Sequence, residues 1–344
     1  MKTRLELLAI AILMAPALPV AAGEQPAQTQ PHARPGLTAI KRLTTVGDGG
    51  EPYFSSDGSK IIFQSKREGR QLDQIYIMNR DGSEQRMVST GAGRTTCSYF
   101  LPGDKTFLYA STHGRDAASG APAVPPQGYD KGGRYDWSFD PAFDIYVADL
   151  SGKILRTLVS GPGYDAEATV SPRGDRIVFT SDRDGDLEIY SMRVDGSDVK
   201  RLTFEKGYDG GAFFSPDGTR IIYRGSRTDD YRALQIYIMN ADGSGKRQLT
   251  SGRGTSFAPS WHPDGKRIVY ASNSGAAEDN RGNFDIYLLA VDSPAGTAPT
   301  PLTDFPGFDG FPVFTPDGRQ LAFCSNRDGA SVYQTSIFIA DFVE

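Results

Sequence analysis

Residues 214–250 read FSPDGTRIIYRGSRTDDYRALQIYIMNADGSGKRQLT, and this stretch holds the plan of the whole chain. Phe214 ends one apolar run, and Ser215-Pro216-Asp217-Gly218 then reverses the chain, because proline fixes φ and glycine accepts a positive one. Arg220 to Arg224 is a short β-rich run. Gln235 to Met239 is another, centred on Ile-Tyr, and Asp242-Gly243-Ser244 turns it into Arg247-Gln248-Leu249-Thr250. Four short strands with turn signals between them make one small antiparallel sheet, whose strands we letter a to d.

The unit occurs six times. Strand a ends at Phe54, Phe100, Val170, Phe214, Trp261 and Phe314, at spacings of 46, 70, 44, 47 and 53 residues, close to the length of a propeller blade once loops are allowed for. The expected fold is all-β, a six-bladed β-propeller. The two ends agree with it. The sixth unit stops after strand c at Asp341-Phe342-Val343-Glu344, while Lys41-Arg42-Leu43-Thr44 is a strand d with nothing before it. The N-terminal strand is therefore expected to close the last blade and hide an edge that would otherwise pair with other chains.

The Ser-Pro-Asp-Gly-x-Arg-Ile unit, followed by Ile-Tyr-x-Met-x-x-Asp-Gly-Ser and Arg-x-Leu-Thr, resembles the propeller repeat of the TolB family across about residues 41–344. The resemblance implies a periplasmic protein and a possible association with the Tol–Pal envelope system, in which the TolB propeller binds the peptidoglycan-associated lipoprotein. TolB also carries an α/β domain before its propeller, whereas only Gly23 to Thr38 separate the expected signal from the repeats here.

Residues 1–22 read as a secretory signal: Lys2 and Arg4, an apolar run from Leu7 to Ala17, then Val20-Ala21-Ala22. Residues 23–37, rich in Pro, Gln and Ala, read as a tether, and 38–344 as the propeller. Export would leave a periplasmic or secreted protein without a membrane insertion. Loss of Lys2, Arg4 and Glu6 takes the formal charge from −5 to −6, unsuited to nucleic acid or anionic membranes. Cys97 and Cys324, the two cysteines, fall in non-adjacent blades and are expected to be buried and unpaired.

Strand parity puts the uniform a–b and c–d turns on one face and the variable b–c and d–a loops on the other, where function is expected. The longest is the b–c loop of blade 2, His113 to Pro141, with Tyr129, Arg134, Tyr135, Trp137 and Phe139. Such a loop either binds a protein partner or packs its rings onto its own propeller. A second cluster is expected at the channel mouth: Asp165, Asp209 and Asp309, with Glu51 and Glu167 two residues further along strand a, beside Arg67, Arg183 and Arg327. It suits a polar ligand. Alternatively each Asp caps a tight turn and an arginine of the neighbouring blade satisfies it.

Catalytic parts are few. One well-placed histidine, His113, builds no zinc or manganese site, and no Gly-x-Ser-x-Gly elbow occurs. Asp182, Asp184, Asp186 and Glu188 hint at calcium, but an EF-hand needs Gly and Glu where Leu187 and Arg193 stand. No metal or cofactor is expected. The favoured reading is a module binding an envelope protein or glycan. The alternative is a glycan lyase or hydrolase using Asp165, Glu167, Asp209 and Asp309.

Overall fold

The computed structural model describes residues 34–114, 139–228, 233–277, 282–329 and 334–344, together with the backbone of 128–129 and 135–136. Among them, six four-stranded antiparallel sheets follow one another along the chain. Their innermost strands are Asp48–Phe54, Thr95–Phe100, Asp165–Val170, Tyr208–Phe214, Ser256–Trp261 and Asp309–Phe314. Four sheets are built from consecutive strands, and in blade 2 the small pair Gly128–Tyr129 and Tyr135–Asp136 falls between strands b and c. The sixth takes its outer strand from the N-terminus, where Gly36–Arg42 pairs antiparallel with Ser336–Val343. The ring is closed as expected. The closing strand begins at Gly36, two residues before the expected start of the propeller.

Each blade is latched to the previous one by the same main-chain bond. The N–H groups of Gly49, Thr95, Asp165, Asp209, Ser256 and Asp309 donate at 2.8–3.1 Å to the carbonyls of Thr335, Asp73, Phe143, Leu187, Leu234 and Phe284. Between blades, strands b and c supply the apolar layers. Ile62, Ile75, Ile77, Phe107 and Tyr109, for example, share one fully buried cluster of blades 1 and 2. Cys97 and Cys324 are free and buried.

One departure from a regular sheet recurs in all six blades. The register of strand a against strand b slips between Gly50 and Tyr53, and at the equivalent place in every other blade. The first bulged residue has positive φ: Glu51, Cys97, Glu167, Gly211, Ala258 and Phe311, at 48–57°. A bulge lets two residues oppose one and re-aims a side chain. Five of these six are not glycine, and each stores about 1 kcal/mol or more of backbone strain. Its recurrence in all six blades, at Glu, Cys, Ala and Phe as well as at glycine, ties the geometry to the position in the ring rather than to the residue.

Candidate functional site

The six bulged residues line a central cavity of about 20 Å³, room for a water molecule. Arg224 joins them from strand b of blade 4. Its guanidinium donates to Glu167 Oε1 at 2.5 Å and to the Tyr208 hydroxyl at 2.9 Å. Glu167 Oε2 also accepts from Thr180 Oγ1 at 2.6 Å, the Gly211 N–H at 2.8 Å and the Tyr208 hydroxyl at 2.8 Å. Glycine at 211 leaves the guanidinium its space, since a Cβ would meet it at 3.1 Å. Two residues further along the strands, Tyr53, Tyr99 and Phe213 pack together with ring centroids 5.4–6.2 Å apart.

Glu51 faces the same cavity, and its Oε2 has no hydrogen-bond partner among the described residues. Burial pushes its carboxyl up to about 7, opposed by the Arg224 charge and a hydrogen bond from Cys97. Burial likewise lifts the Cys97 thiol well above its usual range. A carboxyl that holds its proton in the native state while the unfolded chain has released it loses stability as pH rises. The window runs from about 4.5 to about 7, with no further change above it. Glu51→Gln should remove its share of that slope, of order 3 kcal/mol. Urea unfolding midpoints at about pH 5 and pH 8 check this, and an unchanged difference between the two would contradict it.

The mouth carboxylates are arranged differently from the sequence expectation. Arg183 donates to Asp165 at 2.9 Å, Arg327 to Asp309 at 2.7 Å and Arg227 to Asp209 at 2.7 Å, each within its own blade. The expected donor was an arginine of the neighbouring blade. The correction has a simple cause: strand b pairs directly with strand a, so the arginine just past its end already lies beside the Asp. Each guanidinium also stacks on rings of its own blade: Arg183 on Phe179 and Tyr190, Arg227 on Tyr237, and Arg327 on Phe323 and Phe338, at 4.4–5.5 Å. Glu167 differs from these three in taking its arginine from a neighbour.

Arg67 occupies the same seat in blade 1, over Phe63 and Tyr76, but Gly49 replaces the Asp, and Gln85 Oε1 accepts from it at 2.6 Å. In blade 2 the seat belongs to His113. Its Nδ1 lies 2.9 Å from Ser111 Oγ, as the Nε groups of Arg183 and Arg327 lie from Ser181 and Ser325. Arg224 and Arg227 were missed from sequence. Ser-x-Arg marks Arg67, Arg183 and Arg327, but blade 4 has Gly225 in place of the serine, where a Cβ would collide with Asp209 Oδ1. A charged residue inside the buried run Arg220 to Arg224 was the available signal for the other.

In the long loop of blade 2, Phe139 packs on Tyr164 and Tyr208, at 5.2 and 5.5 Å. Gly128–Tyr129 pairs antiparallel with Tyr135–Asp136. The side chains of Tyr129 and Tyr135, and all of Arg134 and Trp137, lie outside the described residues. Across the mouth, Phe257, Phe284, Phe308 and Phe311 form a half-buried cluster with centroids 5.3–6.3 Å apart.

Six sheets, an N-terminal strand that closes the last of them and a channel occupied by its own side chains define a six-bladed β-propeller. A family model described as the TolB β-propeller domain matches residues 115–233. The chain is similar to the crystal structure of TolB from Acinetobacter baumannii at 20% identity and a TM-score of 0.61, covering 83% of this chain and 64% of that one. It thus spans less than two thirds of that protein. The structure of a putative TolB from Agrobacterium tumefaciens matches at 20% identity and 0.59, over 90% and 99%. An oligogalacturonate lyase from Vibrio parahaemolyticus matches at 14% and 0.53, over 88% and 93%. At these identities the likeness is one of fold.

Proposed function

We propose that this chain is an exported binding propeller that recognises an envelope protein or glycan through the face carrying its b–c and d–a loops. In this reading residues 1–22 are a signal, 23–37 a tether, and the mature protein is periplasmic or secreted. Among the described residues no helix is long and apolar enough to cross a membrane. Association with a Tol–Pal system is the narrower form of the same proposal.

The observation that carries it is what this face offers to a ligand. Asp165, Asp209 and Asp309 are each held by an arginine, whereas the rings of Phe257, Phe284, Phe308 and Phe311 stay half-buried around the mouth. Aromatic groups beside paired charges are the usual anchors of protein and glycan recognition. On the opposite face the Asp-Gly-Ser turns satisfy themselves: Asp81, Asp195 and Asp242 each accept from the serine two residues on.

A glycan lyase or hydrolase is the second reading. Glu51, poised near neutrality beside Arg224, is the group best suited to proton transfer. The cavity it faces has room for a water but not for a sugar ring, which favours recognition over catalysis.

Periplasmic crosslinking tests the proposal, with cosedimentation on peptidoglycan as the glycan arm. Phe257→Ala with Phe308→Ala, or deletion of residues 117–136, should reduce capture about tenfold or more, as removal of two anchors does. Asp242→Ala on the opposite face should leave capture unchanged. Equal capture by all variants would place recognition elsewhere.

A further inference from the structure

We propose that the junction of blades 3 and 4 is a calcium site formed by Glu188, Glu205 and Asp209. The latch from the Asp209 N–H to the Leu187 carbonyl, 2.9 Å, sets the first residue of strand c in blade 3 beside the first turn of strand a in blade 4. Glu205 comes from the loop that joins these blades. One carboxylate oxygen of each of the three lies within 4.8 Å of the others. Three oxygens no more than 4.8 Å apart share a point within about 2.8 Å of each, so small side-chain shifts bring all three to the roughly 2.3–2.6 Å of a calcium ligand.

Two of the carboxylates are fully buried and incompletely satisfied. Glu188 and Asp209 are both 0% exposed; Glu188 Oε2 and Asp209 Oδ2 lack a hydrogen-bond partner among the described residues, although the Thr203 hydroxyl lies against the Glu188 carboxyl. Their other oxygens are fixed, Glu188 Oε1 by Arg201 at 2.6 Å and Asp209 Oδ1 by Arg227 at 2.7 Å. Glu205 is half-exposed, with Lys246 Nζ 3.1 Å from Oε1 and the Phe204 N–H donating to Oε2 at 3.1 Å. Donors fixed on one oxygen of Glu188 and one of Asp209 hold these two carboxylates in place and leave each a second oxygen for a metal. Glu205 gives the ion its route from solvent.

The repeat shows what this position needs when no ion is involved. Blades 1 and 4 have Gln74 and Gln235 where blade 3 has Glu188. Each amide uses both ends: Gln74 accepts from Ser89 Oγ at 2.7 Å and donates to the Gly93 carbonyl at 2.8 Å, and Gln235 accepts from Thr250 Oγ1 and donates to the Gly254 carbonyl. Their junction partners are Thr95 and Ser256, which are neutral. Blades 2 and 5 also carry a carboxylate here, Asp144 and Asp285, facing Asp165 and Asp309 across the same latch, but among the described residues only the blade 3 pair is joined by a third, Glu205, with one oxygen of each within 4.8 Å of the others. An all-oxygen, multiply charged set selects a hard cation, and a cluster of flexible carboxylates with room for waters suits calcium over the stricter magnesium.

Calcium titration of EDTA-treated protein tests this, read by calorimetry and thermal unfolding. The wild type should bind one ion per chain, with a dissociation constant of about 0.1–1 mM. At about 10 mM calcium its Tm should rise by about 3 °C or more. Glu188→Gln, which copies blades 1 and 4, should abolish binding yet be at least as stable as wild type in EDTA; a purely structural role in the Arg201 ion pair predicts a loss there instead. Glu205→Gln, on the half-exposed loop, should fold and bind about tenfold more weakly or worse. No heat and no Tm change up to about 10 mM calcium, binding retained by Glu188→Gln, or equal affinity for magnesium would each overturn the assignment.

Discussion

Arg224→Leu should lower the unfolding free energy by about 3–5 kcal/mol, the largest loss expected of a single substitution at the centre of the ring. The guanidinium is 6% exposed and the Glu167 carboxylate 2%, and they meet at 2.5 Å in the middle of the ring. Removing one member leaves a buried charge without its counter-ion, which costs far more than the pair itself contributes. The donors that remain on Glu167, from Thr180, Gly211 and Tyr208, are neutral groups and offset only part of this. Arg224 also interacts with Glu51, so its loss should raise that carboxyl further. The second charge can be removed as well. Glu167→Gln in the Arg224→Leu background should recover about half the loss, because neither partner is then ionised. Urea unfolding of the single and double variants measures both quantities. A loss under about 1 kcal/mol for Arg224→Leu would mean that water enters the cavity and screens the carboxylate.

The blades were legible in the sequence because their signals are local. Proline, aspartate and glycine at the reversals, and the runs between them, depend on neighbours a few residues away, so strands b and c fall where the repeat placed them. Legibility ended where a feature depends on position in the ring. Nothing in Glu51, Cys97 or Phe311 announces a positive φ, because the bulge follows the place of the strand rather than the residue that fills it. The mouth pairs were half-legible. Both members of Asp165–Arg183 and Asp309–Arg327 were read from sequence, but the choice of partner turns on pairing geometry that a linear pattern does not carry. Arg227 hid behind Gly225, a glycine present to admit the Asp209 carboxylate. Of the aromatic loop residues, Phe139 takes the packing alternative against Tyr164 and Tyr208.

Deleting residues 34–44 should abolish the soluble monomer altogether. That segment supplies the outer strand of the last blade, pairing Gly36–Arg42 with Ser336–Val343. Its end continues inward: the Leu43 N–H donates to the Ile337 carbonyl at 2.8 Å, and Thr44 Oγ1 accepts the Ile337 N–H at 2.9 Å. Leu43 is buried in a cluster with Ile61, Phe63, Ile337 and Ile339 that spans blades 1 and 6, so one short segment bonds the last sheet and fills the seam beside it. Without it, Ser336–Val343, reading SIFIADFV, becomes an exposed apolar edge strand, the template for pairing between chains. Leu43→Ala is the graded form of the same change and should cost about 2–4 kcal/mol while leaving the strand pairing intact. Size-exclusion chromatography and thermal unfolding of both proteins decide the matter. A truncated chain that elutes as a monomer with an unchanged Tm would show that five complete blades and one three-stranded sheet hold together unaided, and the closure would then be an ornament of the fold rather than its fastening.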